Sequence, residues 1–188
     1  MTVFFTVDRE SSLNSGKRLE LITDLSKTMK ITMSGMISED QLVESFRRNY
    51  PNGISLHGQS YLFGYPAFVA KSGSKQLVHI SPMIEAIFEQ VRRADFPTLP
   101  SRFTSMFAWQ SKNDAHTFKN NYRSPNANIF EVESEEYFLG DMSLLTIGGQ
   151  VMNTFELAYK YWNGDRSDKP SIEVLLPLPV SIGKLVTQ

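Results

Sequence analysis

The chain has 188 residues, no cysteine and a formal net charge of −1, with 41% hydrophobic and 12% aromatic residues. Without cysteine it has no disulfide, thiol nucleophile or thiolate metal site, which fits a reducing compartment. The balanced charge excludes the bulk basic surface typical of nucleic-acid and membrane-surface proteins, so only a local patch could bind such partners. The length predicts one domain over residues 1–188.

Targeting and membrane signals are missing from the sequence. Neither basic residues nor a long apolar run opens the chain, so no signal peptide is predicted. No apolar stretch approaches the ~20 residues that cross a bilayer. We therefore expect a cytoplasmic protein with no membrane partner.

Several short segments predict strands, because β-branched and aromatic residues cluster in them. These segments are residues 3–7, 76–80, 101–109, 129–133, 143–147 and 172–176. Residues 61–70 are aromatic but interrupted by Pro66, and they predict a strand or an edge loop.

Four segments predict helices from their N-cap residues and apolar spacing. The caps are Ser38, with Gln41 as in a capping box; Ser81, followed by Pro82; Ser111; and Asn153, with Glu156 as in a capping box. Gly164 ends the last of these helices. Strands and helices do not alternate regularly enough for a doubly wound sheet, so the predicted fold class is α+β.

Common nucleotide and metal motifs are missing. The sequence has neither a Walker loop nor a Gly-x-Gly-x-x-Gly motif. His57, His79 and His116 are widely spaced and lack a paired-ligand pattern, so no metal site is predicted. His79 lies in an apolar run and is interpreted as a core residue.

The segment 101–109 places polar residues among aromatic ones. Ser105 shares a predicted strand face with Phe103, Phe107 and Trp109, so its hydroxyl is expected to be buried and to need a partner. A bond to neighbouring backbone is favoured over a polar contact at the floor of a ligand pocket.

Three glutamates are candidates for a catalytic carboxylate. Glu173 lies among apolar strand residues, either on a wet sheet face or in a cleft, where a carboxylate suits a developing cation or a ribose hydroxyl. Glu131 and Glu133 are two residues apart on one side of a strand. An exposed acidic edge is the favoured interpretation of that pair.

Together these segments resemble the ADP-ribosyltransferase superfamily, with its diphtheria-toxin-like NAD-binding fold, and more narrowly a bacterial and phage domain family allied to it. The matching motifs are Phe5-Thr6-Val7, Pro100 to Phe107, Tyr161-Trp162 with Gly164, and Glu173-Val174-Leu175. Their order along the chain agrees with that family and spans most of the sequence. The resemblance implies a split, two-sheet α+β core that holds NAD in a cleft.

The resemblance also implies roles for individual residues. The first strand of the superfamily supplies a His or Arg to NAD, and Thr6 departs from this, with Arg9 or Arg102 as the substitute. Arg102, Ser105 and Trp109 match the middle-strand residues that shape the nicotinamide pocket. Glu173 matches the late-strand glutamate that stabilises the oxocarbenium-like state.

The Glu131–Glu133 pair is a rival for that glutamate, because several superfamily members use a Glu-x-Glu pair, but it comes early in the chain. Trp109 or Tyr122 is expected to stack on a ring of NAD. A local basic cluster remains a candidate for binding acceptor phosphates. Its members are Arg47, Arg48, Lys112, Lys119 and Arg123.

The expected function is therefore transfer of ADP-ribose from NAD to a macromolecular acceptor, which is a protein, DNA or RNA. The resemblance suggests a toxin or a phage or anti-phage effector, with a neutralising antitoxin as a possible partner. Two alternatives remain open at this point: a non-catalytic binding module with the same fold, and an NAD glycohydrolase.

Overall fold

The computed structural model describes residues 1–25, 37–64, 68–69, 77–78, 80–121 and 126–186. Helices and antiparallel strands mix in it, which confirms the predicted α+β class. The strands are β1 Thr2–Asp8, β2 Arg18–Leu19, β3 Phe68–Val69, β4 Leu77–Val78, β5 Ser105–Ala108, β6 Asn128–Ser134, β7 Phe138–Asp141, β8 Ile172–Pro177 and β9 Val180–Leu185. The α-helices are α1 Glu39–Asn49, α2 Leu56–Gln59, α3 Ser81–Asp95, α4 Lys112–Asn121 and α5 Val151–Asn163.

Two antiparallel sheets carry most of the strands. One has the order β1-β6-β9-β2 and the other β5-β8-β7, while β3 and β4 pair separately. The edge strands β1 and β5 meet at one isolated bridge, where Phe5 and Trp109 exchange backbone hydrogen bonds of 2.9 and 2.8 Å. Among the described residues the backbones of the two sheet edges pair only there.

Strand β8 is buried on both faces, and this decides where Glu173 lies. Val174 and Leu176 pack against the four-stranded sheet, whereas Leu175 packs with α3 and α5. Side chains alternate across a strand, so Glu173 shares the face of Leu175. This face is buried rather than wet, which decides between the two sequence alternatives for Glu173.

Most elements with a clear local signal are confirmed. The strands predicted at 3–7, 129–133 and 172–176 are β1, β6 and β8, and the helices predicted after Ser38 and Ser111 are α1 and α4. Ser38 and Gln41 form the predicted capping box, with reciprocal bonds of 2.9 and 3.2 Å.

Two strand predictions need correction. Residues 102–104 form a 3₁₀ turn, because the Ser101 hydroxyl accepts the Phe103 amide at 3.1 Å, so the strand covers only Ser105–Ala108. The strand predicted at 143–147 is wrong. The Asp141 side chain accepts the Ser143 amide and starts a second 3₁₀ turn, and the strand, β7, comes earlier.

Two helix starts were also wrong, and three elements were missed: strands β2 and β9 and the short helix α2. Helix α3 includes Ser81, and its N-cap is Ile80, which makes no side-chain cap bond. Helix α5 begins at Val151, because Asn153 donates its side-chain amide to the Gly148 carbonyl instead of capping. Strand β9 follows β8 closely and was not predicted.

The remaining predictions fall partly outside the described residues. Residues 60–64 form a π-helical turn, and 68–69 belong to the β3–β4 pair. Of the strand predicted at 76–80, the structure describes 77–78 as β4, and His79 lies outside the described residues. Within the described parts of the chain, no helix has the length and apolar character needed to cross a membrane.

Candidate functional site

A cavity of about 510 Å³ opens where the two large sheets meet. Its volume lies within the ~300–1,000 Å³ of small-molecule sites. Its walls come from β1 and the following turn, from α2 and α3, and from β5 and β8. All six residues predicted from the sequence line this one cavity: Thr6, Arg9, Arg102, Ser105, Trp109 and Glu173.

The floor of the cavity is a buried ion network centred on Arg102. Arg102 is 4% exposed, and it binds Glu85 of α3 through two bonds, from Nε at 2.7 Å and from Nη2 at 3.0 Å. Its Nη1 donates to the hydroxyl of Tyr161 at 2.7 Å and to Oε1 of Glu173. Every guanidinium nitrogen of Arg102 is therefore engaged by protein groups.

Tyr161 of α5 completes the support of Glu173. Its hydroxyl donates to Oε1 of Glu173 at 2.8 Å, while it accepts from Arg102. The ring reaches this position because β7 carries Gly140 opposite it, and a Cβ on Gly140 would lie 2.4 Å from the ring. Two donors thus fix one oxygen of a carboxylate that is only 2% exposed.

One guanidinium serves two carboxylates, and their pKa values diverge. Burial raises the pKa of Glu85, but the charges of Arg102 and His57 outweigh it and lower that pKa to about 2. Burial also raises the pKa of Glu173, and there Arg102 and Tyr161 do not compensate, so that pKa stays raised. Such divergence within one cavity is typical of functional sites.

His57 of α2 extends the network to the cavity wall. Its Nε2 lies 3.3 Å from Oε1 of Glu85, and its side chain is 18% exposed. The imidazole stacks on the ring of Tyr61 at 4.3 Å between centroids and contacts Phe107 at 4.6 Å. His57, Glu85, Arg102 and Glu173 form a continuous chain of charged and titratable groups.

The position of His57 depends on a close approach of α2 to the 3₁₀ turn. Ser55 caps α2 by accepting the Gly58 amide, and both its own amide and its hydroxyl donate to the Phe103 carbonyl. A Cβ on Gly58 would lie 2.3 Å from that same carbonyl oxygen, so only glycine fits there.

The rim of the cavity is organised by Asp8 at the end of β1. Its carboxylate accepts the amides of Ser12 and Leu13 at 3.0 and 2.9 Å, which folds the chain into a turn. The turn carries Arg9, which is exposed and whose guanidinium lies 5.6 Å from the Phe118 ring. Of the six predicted residues, Arg9 is the one whose side chain is on the surface of the cavity.

The other predicted residues mainly hold the cavity together. Thr6 donates its hydroxyl to the Phe107 carbonyl at 2.9 Å, which ties β1 to β5. Ser105 is fully buried and donates to the Ser101 carbonyl at 2.8 Å, as the backbone-bonded interpretation predicted. Trp109 is 5% exposed and packs against Phe118 at 4.1 Å.

Glu131 and Glu133 lie elsewhere. They belong to β6, Glu131 half-buried and Glu133 exposed, and neither lines the cavity. Tyr122 and Arg123 fall outside the described residues. The other basic candidates divide between two helices: Arg47 and Arg48 on α1, Lys112 and Lys119 on α4.

The sequence interpretation missed three members of the network. His57 was set aside because it lacks a partner histidine at metal-ligand spacing. Glu85 was not singled out, and Tyr161 was noted only as part of an aromatic motif. For Glu85 the sequence did hold a signal, because this charged residue is next to Ile84 and three residues before Phe88, and both are core residues.

The sequence pattern of a family described as "Protein of unknown function (DUF2441)" matches residues 5–188. A comparison with curated proteins gives no match. The matched range contains β1 from Phe5 onward and every residue of the cavity floor.

Proposed function

The chain belongs to the DUF2441 family, and we propose that it transfers ADP-ribose from NAD to a macromolecular acceptor. The observation that carries the proposal is the fixed carboxylate of Glu173. Arg102 and Tyr161 hold it at the floor of a cavity between two sheet edges, which Thr6 and Arg9 also line. This split arrangement supports the ADP-ribosyltransferase-like core that the sequence motifs suggest.

The chemistry of the cavity suits NAD as substrate. Cleavage of the bond between ribose and the cationic nicotinamide builds positive charge on the sugar, as in glycoside hydrolysis. A pre-positioned carboxylate in a water-poor site stabilises that charge. Glu173 is such a group, since Arg102 and Tyr161 both donate to its Oε1.

The two arginines take different roles in this proposal. Arg102 holds Glu85 and Glu173 with bonds from all three of its guanidinium nitrogens and is buried, so it is a positioning residue. Arg9 is exposed at the rim and lines the same cavity, so it binds the diphosphate of NAD. The aromatic rings of Tyr61 and Phe107 offer apolar faces for nicotinamide or adenine.

A non-catalytic binding module remains the second candidate, and Thr6 favours it. Thr6 stands where the superfamily carries a His or Arg, and its hydroxyl is already used by the Phe107 carbonyl. Calorimetry with NAD separates the two candidates: a chain without NAD affinity is not the proposed enzyme. An NAD glycohydrolase is the third candidate, and it would release nicotinamide with no macromolecule present.

The test of the proposed function compares Glu173→Gln with wild type on labelled NAD and a cell lysate. The neutral amide should fold, because the site already raises the pKa of Glu173 and so tolerates an uncharged group. We expect loss of transfer by about 10²–10³-fold with NAD affinity retained. Nuclease or protease digestion of the labelled product then identifies the acceptor class.

Glu133→Gln is the matched control, because Glu133 is exposed on β6 and outside the cavity. It should keep wild-type transfer. Wild-type transfer in Glu173→Gln, or equal losses in both variants, would contradict the assignment of Glu173.

A further inference from the structure

We propose that His57 accepts the proton of the attacking acceptor hydroxyl and that Glu85 positions its ring for this task. The inference rests on the proposed function and deepens it. It assigns a second catalytic residue to the cavity and restricts the acceptor to a group that must lose a proton.

A carboxylate that is itself held in place lies beside the proposed base. His57 Nε2 faces Oε1 of Glu85 at 3.3 Å, and Arg102 locks that carboxylate through two further bonds. Tyr61 and Phe107 flank the imidazole. With Nε2 turned toward Glu85, Nδ1 is the ring nitrogen left for the acceptor.

The buried Nε2 of His57 has no hydrogen-bond partner among the described residues. Despite the 3.3 Å separation, its geometry toward Glu85 is not that of a hydrogen bond, and no other described group binds it. Buried polar atoms without a partner are rare and call for an explanation. Catalytic hydrogen bonds in free enzymes are often long and tighten when substrate binds.

The proposed step balances as follows. The oxygen of the acceptor hydroxyl forms a bond to the anomeric carbon of the ribose, while the bond from that carbon to nicotinamide breaks. The bonding pair leaves with nicotinamide, which becomes neutral. The hydroxyl proton moves to His57, and the resulting imidazolium is stabilised by the Glu85 carboxylate.

The same arrangement indicates the kind of acceptor. A carboxylate acceptor is already deprotonated and would need no base beside it. A hydroxyl gains nucleophilicity when a base removes its proton, typically by about 10²–10⁴-fold. The His57–Glu85 pair therefore favours a hydroxyl over a carboxylate as the acceptor group.

The test uses two variants of the full chain, with nicotinamide release from NAD in a cell lysate as the readout. His57→Phe keeps a ring between Tyr61 and Phe107 but removes the base. His57→Ala leaves a space into which free imidazole fits. We expect both variants to bind NAD as wild type does and to lose about 10²–10⁴-fold in turnover.

Added imidazole should restore turnover of His57→Ala and leave His57→Phe inactive, because only the first has room for it. A merely structural role of His57 would not respond to imidazole in this selective way. His116→Ala is the matched control, since His116 lies on α4 and does not line the cavity. It should be as active as wild type.

The outcomes separate the two proposals. A wild-type chain that neither binds nor cleaves NAD overturns the proposed function and this inference with it. An active wild type with equally active His57 variants, or a loss in His57→Ala that imidazole does not restore, overturns the inference alone. A modified carboxylate, recognised by cleavage of its ester bond with hydroxylamine, overturns the hydroxyl assignment.

Discussion

Glu85 and Glu89 lie one turn apart on α3, and each is buried against arginine, but their charge balance is opposite. Glu89 accepts from Arg92 at 2.9 Å through two bonds, from Arg93 at 2.8 Å and from Ser101 at 2.8 Å. Two arginines thus serve one carboxylate there. Around Glu85, one arginine serves two carboxylates.

The Glu89 cluster fastens parts of the fold to one another. Arg92 also donates to the Leu99 carbonyl at 3.0 Å, and Arg93 to the side chain and carbonyl of Asn49 at 3.0 and 3.1 Å. These bonds tie the end of α1 and the chain after α3 to one point. Its charges are satisfied locally, as in a structural cluster.

The Glu85 cluster has negative charge to spare and an unsatisfied histidine nitrogen, and it faces a cavity. That surplus is costly for folding and useful for stabilising a cation. The comparison teaches that burial and pairing alone do not mark a functional site. What distinguishes the Glu85 cluster is its excess of negative charge and the unsatisfied nitrogen of His57, whereas positive charge is in excess around Glu89.

Replacing Arg102 should give the largest change in the free energy of unfolding. Arg102→Leu leaves Glu85 and Glu173 buried without their shared partner, and it should lower the free energy of unfolding by about 3–5 kcal/mol. Arg93→Leu is the matched change in the other cluster. It should lower that free energy by only about 1–2 kcal/mol, because Arg92 and Ser101 still hold Glu89.

Urea unfolding of both variants measures the difference. Equal losses, or a larger loss for Arg93→Leu, would show that the two clusters are energetically alike.

The second prediction is that the stabilities contributed by the two clusters depend on pH in opposite directions. Burial keeps the pKa of Glu173 above its ordinary 4.5. Its contribution to stability is therefore present below pH 4.5 and is lost as the pH rises through the pKa of the folded state. For Glu89, burial raises the pKa, but Arg92, Arg93 and Ser101 lower it further. Its contribution is present above 4.5 and is lost as pH falls through the lowered value.

Relative to wild type, Glu173→Gln should therefore gain stability as pH rises, and Glu89→Gln should lose it. Each unit of pKa difference corresponds to about 1.4 kcal/mol. Free energies of unfolding measured between about pH 3 and about pH 8, a range that includes the ordinary glutamate pKa, give the two slopes. Slopes of the same sign would refute the opposite charge balance.

Replacing Ser101 should give the smallest change in the free energy of unfolding. Ser101→Ala removes one of the donors to Glu89 and the acceptor of the Phe103 amide, and it should lower the free energy of unfolding by about 1 kcal/mol. NAD cleavage should change little, because the cavity floor keeps all its ion pairs. Thr104→Ala, which removes a 3.3 Å bond to the Ser101 carbonyl, is the milder comparison.

A large loss of NAD cleavage in Ser101→Ala at nearly unchanged stability would show that the two clusters work as one. In that case the Glu89 cluster would belong to the site rather than to the scaffold.

Local signals were enough for the elements whose ends are capped by their own sequence. Helices α1 and α4 were predicted from their serine caps, and β6 and β8 from runs of β-branched residues. The start of α5 was not predicted, because Asn153 can cap a helix or bond backwards to Gly148. Tertiary packing, not propensity, chose between these.

Local sequence signals also predicted only part of the candidate site. Glu173 and Arg102 attracted attention because a charge in an apolar strand is a local anomaly. His57 carries no such anomaly, because a lone histidine is ordinary in sequence, and the charge of Glu85 beside Ile84 is a weaker signal on an amphipathic helix. Their role arises from residues far away in the chain that α3 and α2 bring beside them.

The sequence alone determined the α+β class, most of the elements and six residues that line one cavity, because periodicity and polar residues in apolar strands are properties of neighbouring positions. The tertiary structure alone decided which groups share Arg102, that each of its guanidinium nitrogens is bonded, and that His57 stands beside Glu85. Charge balance inside a protein depends on distances between segments, and those exist only once the chain is folded.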